Sequence, residues 1–169
     1  MTVLKLTFYP DNILREDNKI IEKFDSNLHK FLDDMTETMY KKNGYGLAAP
    51  QVGKNVRITV IDVSEERNQI LELINPVIIE QSGKIESEEG CLSIPDYREI
   101  IKRSATVTVK AQNRYGEEFT TTGEELLSRC LQHEIDHLNG ILFIDHLSRL
   151  KKPFFKKWYE NNKPLGEDD

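Results

Sequence analysis

The hydrophobic residues of this chain recur at helical spacing in a first segment, residues 26–42. Its apolar side chains return every three or four positions and share one stripe, which predicts an amphipathic helix. They are Leu28, Phe31, Leu32, Met35 and Met39. Asn43 and Gly44 follow, and both residue types favour the end of a helix. The sequence therefore predicts an N-terminal helix that ends near Asn43.

A second helical pattern lies in the last third of the chain. Leucines recur at helical spacing between Leu127 and Leu138, and Gly140 follows at a position typical of a helix end. Thr122 and Glu125 fit a capping box, in which both side chains satisfy backbone donors at a helix start. Apolar residues surround much of this helix, so it is predicted to be buried at the centre of the fold.

Alternating apolar and polar residues predict four strands. The strands cover about 57–63, 70–79, 105–111 and 117–121. Residues 113–116 are turn formers, so the last two strands are predicted to form a hairpin. Pro76 interrupts the second strand, which indicates either an edge strand or a bend.

The order of these elements predicts the fold class. Strands that precede one buried helix favour an α+β fold, with mainly antiparallel sheets around the central helix and a helix near each terminus. The C-terminal helix is expected within about 148–164 and begins near Lys151 or Lys152, because Pro153 suits a first turn. Its aromatic residues are expected to pack on the body, and residues 165–169 to form a mobile tail. Residues 1–169 are predicted to form a single domain.

Composition narrows the class of protein. A formal net charge of −6 argues against a general nucleic-acid binder, so no DNA partner is expected. The chain has 2 cysteines, no signal peptide and no long apolar run. These features predict a cytoplasmic protein with no structural disulfide and no membrane partner.

The candidate chemistry lies in the buried helix, which contains the pattern His-Glu-x-x-His. His133 and His137 are four residues apart and share one helix face, so both can bind one metal ion. Glu134 is then held beside that ion and can take a proton from a water molecule. The alternative is an exposed helix that carries these residues by chance. Burial disfavours that alternative, because an unpaired buried polar group costs about 1–3 kcal/mol.

Two histidines leave a metal ion under-coordinated, and the sequence leaves the third ligand open. Phe143 stands where a metzincin would have its third histidine, which excludes that class. Cys91 is one candidate, and Glu160 would serve in a zinc endopeptidase of the thermolysin kind. Cys130 is poorly placed one turn before the motif, although it could complete a closed, non-catalytic zinc site. His146 could reach the ion only after a sharp turn.

Three segments together resemble the bacterial form of peptide deformylase. They are Gly-Tyr-Gly-Leu-Ala-Ala-Pro-Gln at 44–51, Glu-Gly-Cys-Leu-Ser at 89–93 and Gln-His-Glu-Ile-Asp-His-Leu-Asn-Gly at 132–140. The resemblance implies hydrolysis of the N-formyl group from the initiator methionine of nascent chains, with release of formate. It also implies one Fe²⁺ ion per chain, replaceable by Zn²⁺ or Ni²⁺. The ribosome is a further implied partner, through the C-terminal helix.

The resemblance also implies a role for individual residues. The implied metal ligands are Cys91, His133 and His137. A metal-bound hydroxide would attack the formyl carbon, with Glu134 as general base and then general acid. The Gln51 side chain and the Leu92 backbone N–H would stabilise the oxyanion. The residues expected to bind substrate are Gly44, Tyr45, Gly46, Leu47, Glu89, Gly90, Arg98, Leu126, Arg129 and Cys130.

Two of these positions depart from the family pattern, because Tyr45 and Arg129 stand where many bacterial members carry aliphatic residues. The charge of Arg129 is expected either at the pocket mouth, where it would favour an acidic residue later in the peptide, or in a pair with Glu125 one turn away. Asp136, on the other face of the helix from the metal, is expected either to orient neighbouring groups or to form a salt bridge, for which Arg103 is the candidate partner.

Overall fold

The computed structural model describes residues 2–162. The helices are α1 (Ser26–Lys41), α2 (Glu125–Leu138) and α3 (Lys152–Asn162). The strands are β1 (Gly46–Ala48), β2 (Ile58–Ile61), β3 (Leu71–Ser82), β4 (Ile85–Cys91), β5 (Ile94–Arg103), β6 (Thr106–Gln112) and β7 (Glu118–Glu124).

The strands form two antiparallel sheets. The larger has five strands in the order β1-β2-β3-β6-β7, and the smaller is the β4–β5 hairpin. The prediction of an α+β fold with antiparallel sheets and three helices is confirmed. The β6–β7 hairpin is confirmed as well, with Thr106 opposite Glu124.

Helix α1 follows its predicted stripe. The Asp25 carboxylate accepts a hydrogen bond from the Leu28 N–H (3.0 Å) and caps the first turn. Leu32, Met35 and Met39 are fully buried and pack with β1 and β2 in one apolar cluster. The helix thereby fixes one side of the short strand β1, which borders the candidate site.

Helix α2 is the buried central helix, but its predicted start is wrong. Thr122 belongs to β7, and the helix begins at Glu125 without a side-chain cap. The reason is that Thr122 pairs with Thr108 across the sheet, so its backbone is committed to the β6–β7 ladder. The sheet hydrogen bonds override the local capping signal, and strand β7 leads directly into the helix.

Helix α3 packs its aromatic side on the body, as predicted. Phe155 is buried and makes edge contacts with Tyr9 and Tyr97 at centroid distances of 5.8 and 4.8 Å. Trp158 lies 4.9 Å from Tyr97. The helix begins at Lys152, as Pro153 predicted, because residues 149–151 form a turn. The tail expected at 165–169 lies outside the described residues.

The strands that sequence periodicity missed are β1, β4 and β5. Strand β4 alternates glutamates with small residues, so it lacks the apolar periodicity of a half-buried strand. The bend expected at Pro76 is present as a register shift between Ile74 and Val77, with Asn75 in the left-handed region at φ 53°. Strand β3 pairs on both sides, so the edge-strand alternative does not hold.

Candidate metal centre and active site

The β4–β5 hairpin places one thiol at its tip. Cys91 ends β4 and lies opposite Ile94, and the two residues between them form the turn. Gly90 suits this path because a Cβ there would lie 2.8 Å from the Arg98 guanidinium. The hairpin therefore presents the Cys91 sulfur and the Leu92 backbone at a tight turn.

Helix α2 brings two imidazoles to that thiol. Ligand atoms of Cys91, His133 and His137 all lie within 4.8 Å of one another. The Cys91 Sγ is 3.4 Å from His137 Nε2, and His137 is almost fully buried. Burial, followed by the charge of His133, lowers the pKa of His137 well below its usual value, so this imidazole is neutral. One thiol and two imidazoles at this spacing form a possible metal site.

A chain of charged groups orients His133. Its Nδ1 lies 3.1 Å from Glu89 Oε1, and a carboxylate oxygen only accepts, so Nδ1 carries the proton and Nε2 is left to bind an ion. Arg103 donates to both Glu89 oxygens at 2.6 and 2.9 Å. Burial opposes the charge of Glu89, but hydrogen bonds from His133 and Arg103 hold its pKa at about 2. Arg103 also pairs with Asp136 at 2.9 Å, as predicted, and Asp136 contacts His146 at 2.8 Å.

Glu134 is enclosed between α2 and β1. Burial raises its pKa to about 7. Within residues 2–162, its Oε1 atom has no hydrogen-bond partner. A Cβ added at Gly46 would lie 2.6 Å from Glu134 Oε2, so only glycine admits this carboxylate. The result is a buried carboxyl group that can change protonation near neutral pH.

Gln51 is held so that its amide nitrogen faces the same centre. The Ala48 N–H donates to Gln51 Oε1 at 2.9 Å, which fixes the orientation of the amide. Its Nε2 then donates to Cys91 Sγ at 3.4 Å and to Ser93 Oγ at 3.2 Å. Gln51 is only 2% exposed, so this donor is preorganised.

A cavity of about 730 Å³ opens beside these groups. The residues expected to bind substrate line it, with one exception: Leu47 is fully buried in the α1 cluster, because alternate residues of β1 face opposite sides. The cavity wall also includes residues that sequence reasoning did not select: Asn43, Glu88, Pro95, Asp96 and Tyr97. These residues adjoin the motifs at 44–51 and 89–93, and that position in the sequence could have indicated that they line the cavity.

The other candidate ligands lie away from the cluster of Cys91 and the two histidines. Burial, followed by the charge of Glu134, raises the pKa of the Cys130 thiol to about 12, so it does not ionise at neutral pH. Glu160 is exposed on α3, and His146 faces Asp136.

Arg129 lines the cavity wall. In the described part of the chain it has no ion pair with Glu125, and its buried Nε atom has no hydrogen-bond partner. The helix-pair alternative for its charge is therefore not seen in this structure.

A buried His-Glu-x-x-His helix facing a thiol at the tip of a hairpin is the arrangement of a metallohydrolase. The model of the polypeptide deformylase family matches residues 3–153. The chain belongs to the polypeptide deformylase family. It is 48% identical over 167 residues to the peptide deformylase of Pseudoalteromonas translucida, covering 99% of this chain and 100% of that relative.

Solved structures agree with this family. A peptide deformylase from Legionella pneumophila is 44% identical with a TM-score of 0.90, covering 96% of this chain and 96% of that one. A peptide deformylase from Ehrlichia chaffeensis, solved in complex with actinonin, is 39% identical with a TM-score of 0.88, covering 97% of this chain and 100% of that one. As a family member, the chain is a metalloenzyme that removes the N-formyl group of nascent polypeptides.

Within residues 2–162, no helix combines the length and the apolar character that crossing a membrane requires.

Proposed function

We propose that this chain hydrolyses the formyl amide of N-formylmethionyl peptides at the centre formed by Cys91, His133 and His137. The proposal rests on one observation: four features that this reaction requires lie together at one cavity. They are three metal-ligand atoms within 4.8 Å, a buried carboxyl group, an oriented amide donor and a pocket for a side chain.

The donor set fits a divalent transition metal. With a metal ion in place of the proton on His133 Nε2, the Cys91 thiolate and two neutral imidazoles would suit Fe²⁺, Zn²⁺ and Ni²⁺ by softness and geometry. Cys91, His133 and His137 would hold one ion per chain, and Glu89 would orient His133. By its resemblance to the family, we propose Fe²⁺ in the cell, with Zn²⁺ or Ni²⁺ as replacements. When bound, the ion lowers the pKa of a coordinated water toward neutrality.

Glu134 is the proposed proton carrier. Its carboxylate accepts the proton of the attacking water and then gives it to the amine that leaves. Two features support this assignment. Burial raises the pKa of Glu134 to about 7, and its Oε1 atom is free of hydrogen bonds within residues 2–162. A base with a pKa near the working pH transfers protons in both directions efficiently.

Gln51 and Leu92 are the proposed donors to the oxyanion. The Gln51 amide is already oriented by Ala48, and Leu92 stands at the hairpin turn next to Cys91. In the proposed reaction, both donors would flank the formyl carbonyl. Preorganised donors of this kind matter because losing one typically costs about 10²–10³ in rate.

The cavity wall is the proposed methionine site. Leu126, Cys130 and the stem of Arg129 supply apolar surface along α2, and Tyr45, which precedes β1, and Gly90 of β4 line the same cavity. Glu89, Gly44, Gly46 and Arg98 complete the proposed binding surface. A pocket of this size and mixed polarity suits one side chain followed by an extended peptide.

The exposed side of α3 is a proposed ribosome contact, by resemblance to the family. Lys152, Lys156 and Lys157 are exposed there, and Phe154 is 67% exposed. Lysines attract nucleic-acid phosphates in a salt-dependent way. Binding of the parent and of a Lys156→Glu, Lys157→Glu variant to purified ribosomes would test this contact. Action on nascent chains leads us to propose a cytoplasmic location.

The decisive experiment measures formate release from a formyl-Met peptide. Protein prepared without oxygen is loaded with Fe²⁺, Zn²⁺ or Ni²⁺, and an acetyl-Met peptide of the same sequence is the control. We expect kcat/KM to be about 10–200-fold lower for the acetyl peptide, because packing of Gly46 and Leu92 around the carbonyl should leave room for a hydrogen atom but not for a methyl group. Comparable rates on both peptides, or cleavage of internal peptide bonds with the formyl group intact, would contradict the proposal.

A further inference from the structure

The loop between β2 and β3 sends one arginine toward the rim of the cavity. The guanidinium carbon of Arg67 lies 5.2 Å from the ring centroid of Tyr40 and 5.2 Å from that of Tyr45. Tyr40 belongs to α1, whereas Tyr45 is 51% exposed at the cavity wall. A cation within about 6 Å of an aromatic face is attracted to it. Arg67 therefore links the half-exposed ring of the rim to a ring anchored in a helix.

The same guanidinium holds the backbone of the rim. Its Nη2 donates to the Gly44 carbonyl, and its Nη1 donates to the Asp62 carbonyl at 2.5 Å. The Asp62 N–H in turn donates to the Tyr45 carbonyl at 2.8 Å. Both peptide units that flank Tyr45 on the rim are thus tied to this loop.

The loop itself is well anchored at Asp62. Its carboxylate accepts hydrogen bonds from the Tyr40 hydroxyl (2.5 Å), the Ser64 N–H (2.8 Å) and the Gln69 N–H (3.0 Å). Asp62 is only 1% exposed. The loop that carries Arg67 is therefore fixed at Asp62, so the Arg67 guanidinium can hold the rim in one position.

Arg67 adds to the backbone hydrogen bonds of the rim a support for the Tyr45 side chain. Gly44 and Gly46 flank Tyr45, and glycine gives the backbone wide conformational freedom. Half of the Tyr45 surface has no protein neighbour. Without Arg67, the Tyr45 ring would lose its cation–π partner and the Gly44 carbonyl would lose its side-chain donor.

We propose that Arg67 is a positioning residue for substrate binding, which holds the Gly44–Tyr45 rim and its aromatic ring as one wall of the methionine site. The proposal rests on the proposed function, in which Tyr45 contacts substrate. Arg67 does not line the cavity, so it acts on the peptide only through the rim. Binding of substrate should depend on it, whereas the chemical step at Glu134 should not.

The test is a double-mutant cycle on formyl-Met peptide hydrolysis. Arg67→Met removes the guanidinium and keeps an apolar stem, and Tyr45→Leu removes the ring. For Arg67→Met we expect KM to rise about tenfold, the effect of one lost contact of this kind, with kcat within about twofold. Because both residues act through one wall, the double variant should raise KM no more than the larger single change.

Arg114→Met is the matched control. Arg114 is also a partly buried arginine in a network, paired with Asp33 and Glu72, but it does not line the cavity. It should leave KM at the parent value. Where Arg67→Met lowers the melting temperature below the assay range, Arg67→Lys replaces it, because it keeps a cation but cannot reach both carbonyls. An intermediate KM is expected for Arg67→Lys.

Three results would overturn the proposal: an unchanged KM in both Arg67 variants, independent effects of Arg67 and Tyr45 that multiply in the double variant, or an equal rise in KM for Arg114→Met. Absence of deformylation by the parent enzyme is a separate result, which would contradict the proposed function instead.

Discussion

The two cysteines of this chain have the same side chain, but their surroundings make them differ in their ability to bind a metal ion. The Cys130 thiol is enclosed near the Glu134 carboxyl, and burial raises its pKa to about 12. Cys91 receives a hydrogen bond from Gln51 Nε2 and lies 3.4 Å from His137 Nε2, so its sulfur stands beside a second possible metal ligand. At the scale of single residues, environment decides which thiol can bind a metal ion.

Cys91→Ser should keep the fold but lose most of the bound metal and most of the activity. The reason is that a serine hydroxyl is not ionised at neutral pH and is a poor ligand for these metals. Metal analysis and thermal melting of the purified variant check this, with Cys130→Ser as a control that should retain its metal. Unchanged metal content and turnover in Cys91→Ser would remove Cys91 from the site.

Glu134→Gln should retain the metal while kcat falls by about 10²–10⁴, the usual contribution of a general acid–base group. The proposed ligands are intact in this variant, and only the proton carrier is lost. Substrate affinity should change little, because the amide has nearly the shape of the carboxyl group. Near-parent turnover of formyl peptides by the variant would mean that another group carries the proton.

Arg129 should give the enzyme a preference for acidic residues near the start of the peptide. It lines the cavity, and no ion pair within residues 2–162 joins it to Glu125. Formyl-Met peptides with Glu or Lys at the next two positions are compared on the parent and on Arg129→Ile. An exposed ion pair is worth about 0.2–1 kcal/mol, so a preference for Glu of a few-fold is expected in the parent alone. The same ratio in both enzymes would show that Arg129 does not meet substrate.

Among the secondary-structure elements, β1 and α2 approach each other closely, and the position of the Glu134 carboxyl group, the proposed proton carrier, depends on that approach. Gly46 on β1 leaves space for the Glu134 side chain, which lies under 3.0 Å from the position a Cβ would take. The strand is held there by its antiparallel pairing with β2, where Gly46 faces Ile61. A short strand of three residues thus sets the geometry of a group on a helix.

Gly46→Ala should reduce kcat by about 10²-fold, because the added methyl group displaces the Glu134 carboxyl by about 1 Å from its working position. Overpacking should also lower the free energy of unfolding by about 1–3 kcal/mol. Steady-state kinetics with urea unfolding check both effects, and bound metal should be retained. A kcat within twofold of the parent would mean that Glu134 can relocate without loss.

At the scale of the whole molecule, the proposed ligands come from two separate parts of the fold. Cys91 lies on the β4–β5 hairpin, which pairs with no strand of the larger sheet. His133 and His137 lie on α2, which packs on that larger sheet. The Glu89–Arg103–Asp136 chain also joins the hairpin to α2. A bound ion would therefore connect the two parts directly.

Removal of the metal should lower the melting temperature and loosen the hairpin. An ion that binds only the folded state stabilises it by about 2.7 kcal/mol at a concentration of 100 Kd. Thermal melting with and without a chelator measures the loss, and amide hydrogen exchange should increase more in β4–β5 than in β6–β7. Cys91→Ser should not respond to the chelator. Equal melting and exchange with and without metal would contradict this bridging role.

Those parts of the protein that depend on local spacing can be predicted directly from the amino-acid sequence. The α1 stripe and the β6–β7 hairpin follow from periodicity, and the pairing of His133 with His137 follows from the helical repeat. The motifs around Gln51 and Cys91 indicated the family without the structure. These features depend on neighbours within a few residues, so the sequence displays them directly.

Contacts between residues that are far apart along the chain could not be predicted and follow from the folded structure. Cys91 and His137 are 46 residues apart along the chain, and Glu89 and His133 are 44 apart. No local pattern encodes such contacts, since they depend on how the hairpin packs beside α2. The same cause explains the error at Thr122, where pairing with Thr108 outweighed a local capping signal. Arg67 carried no signal at all, because its partners on α1 and the rim come together only in the folded chain.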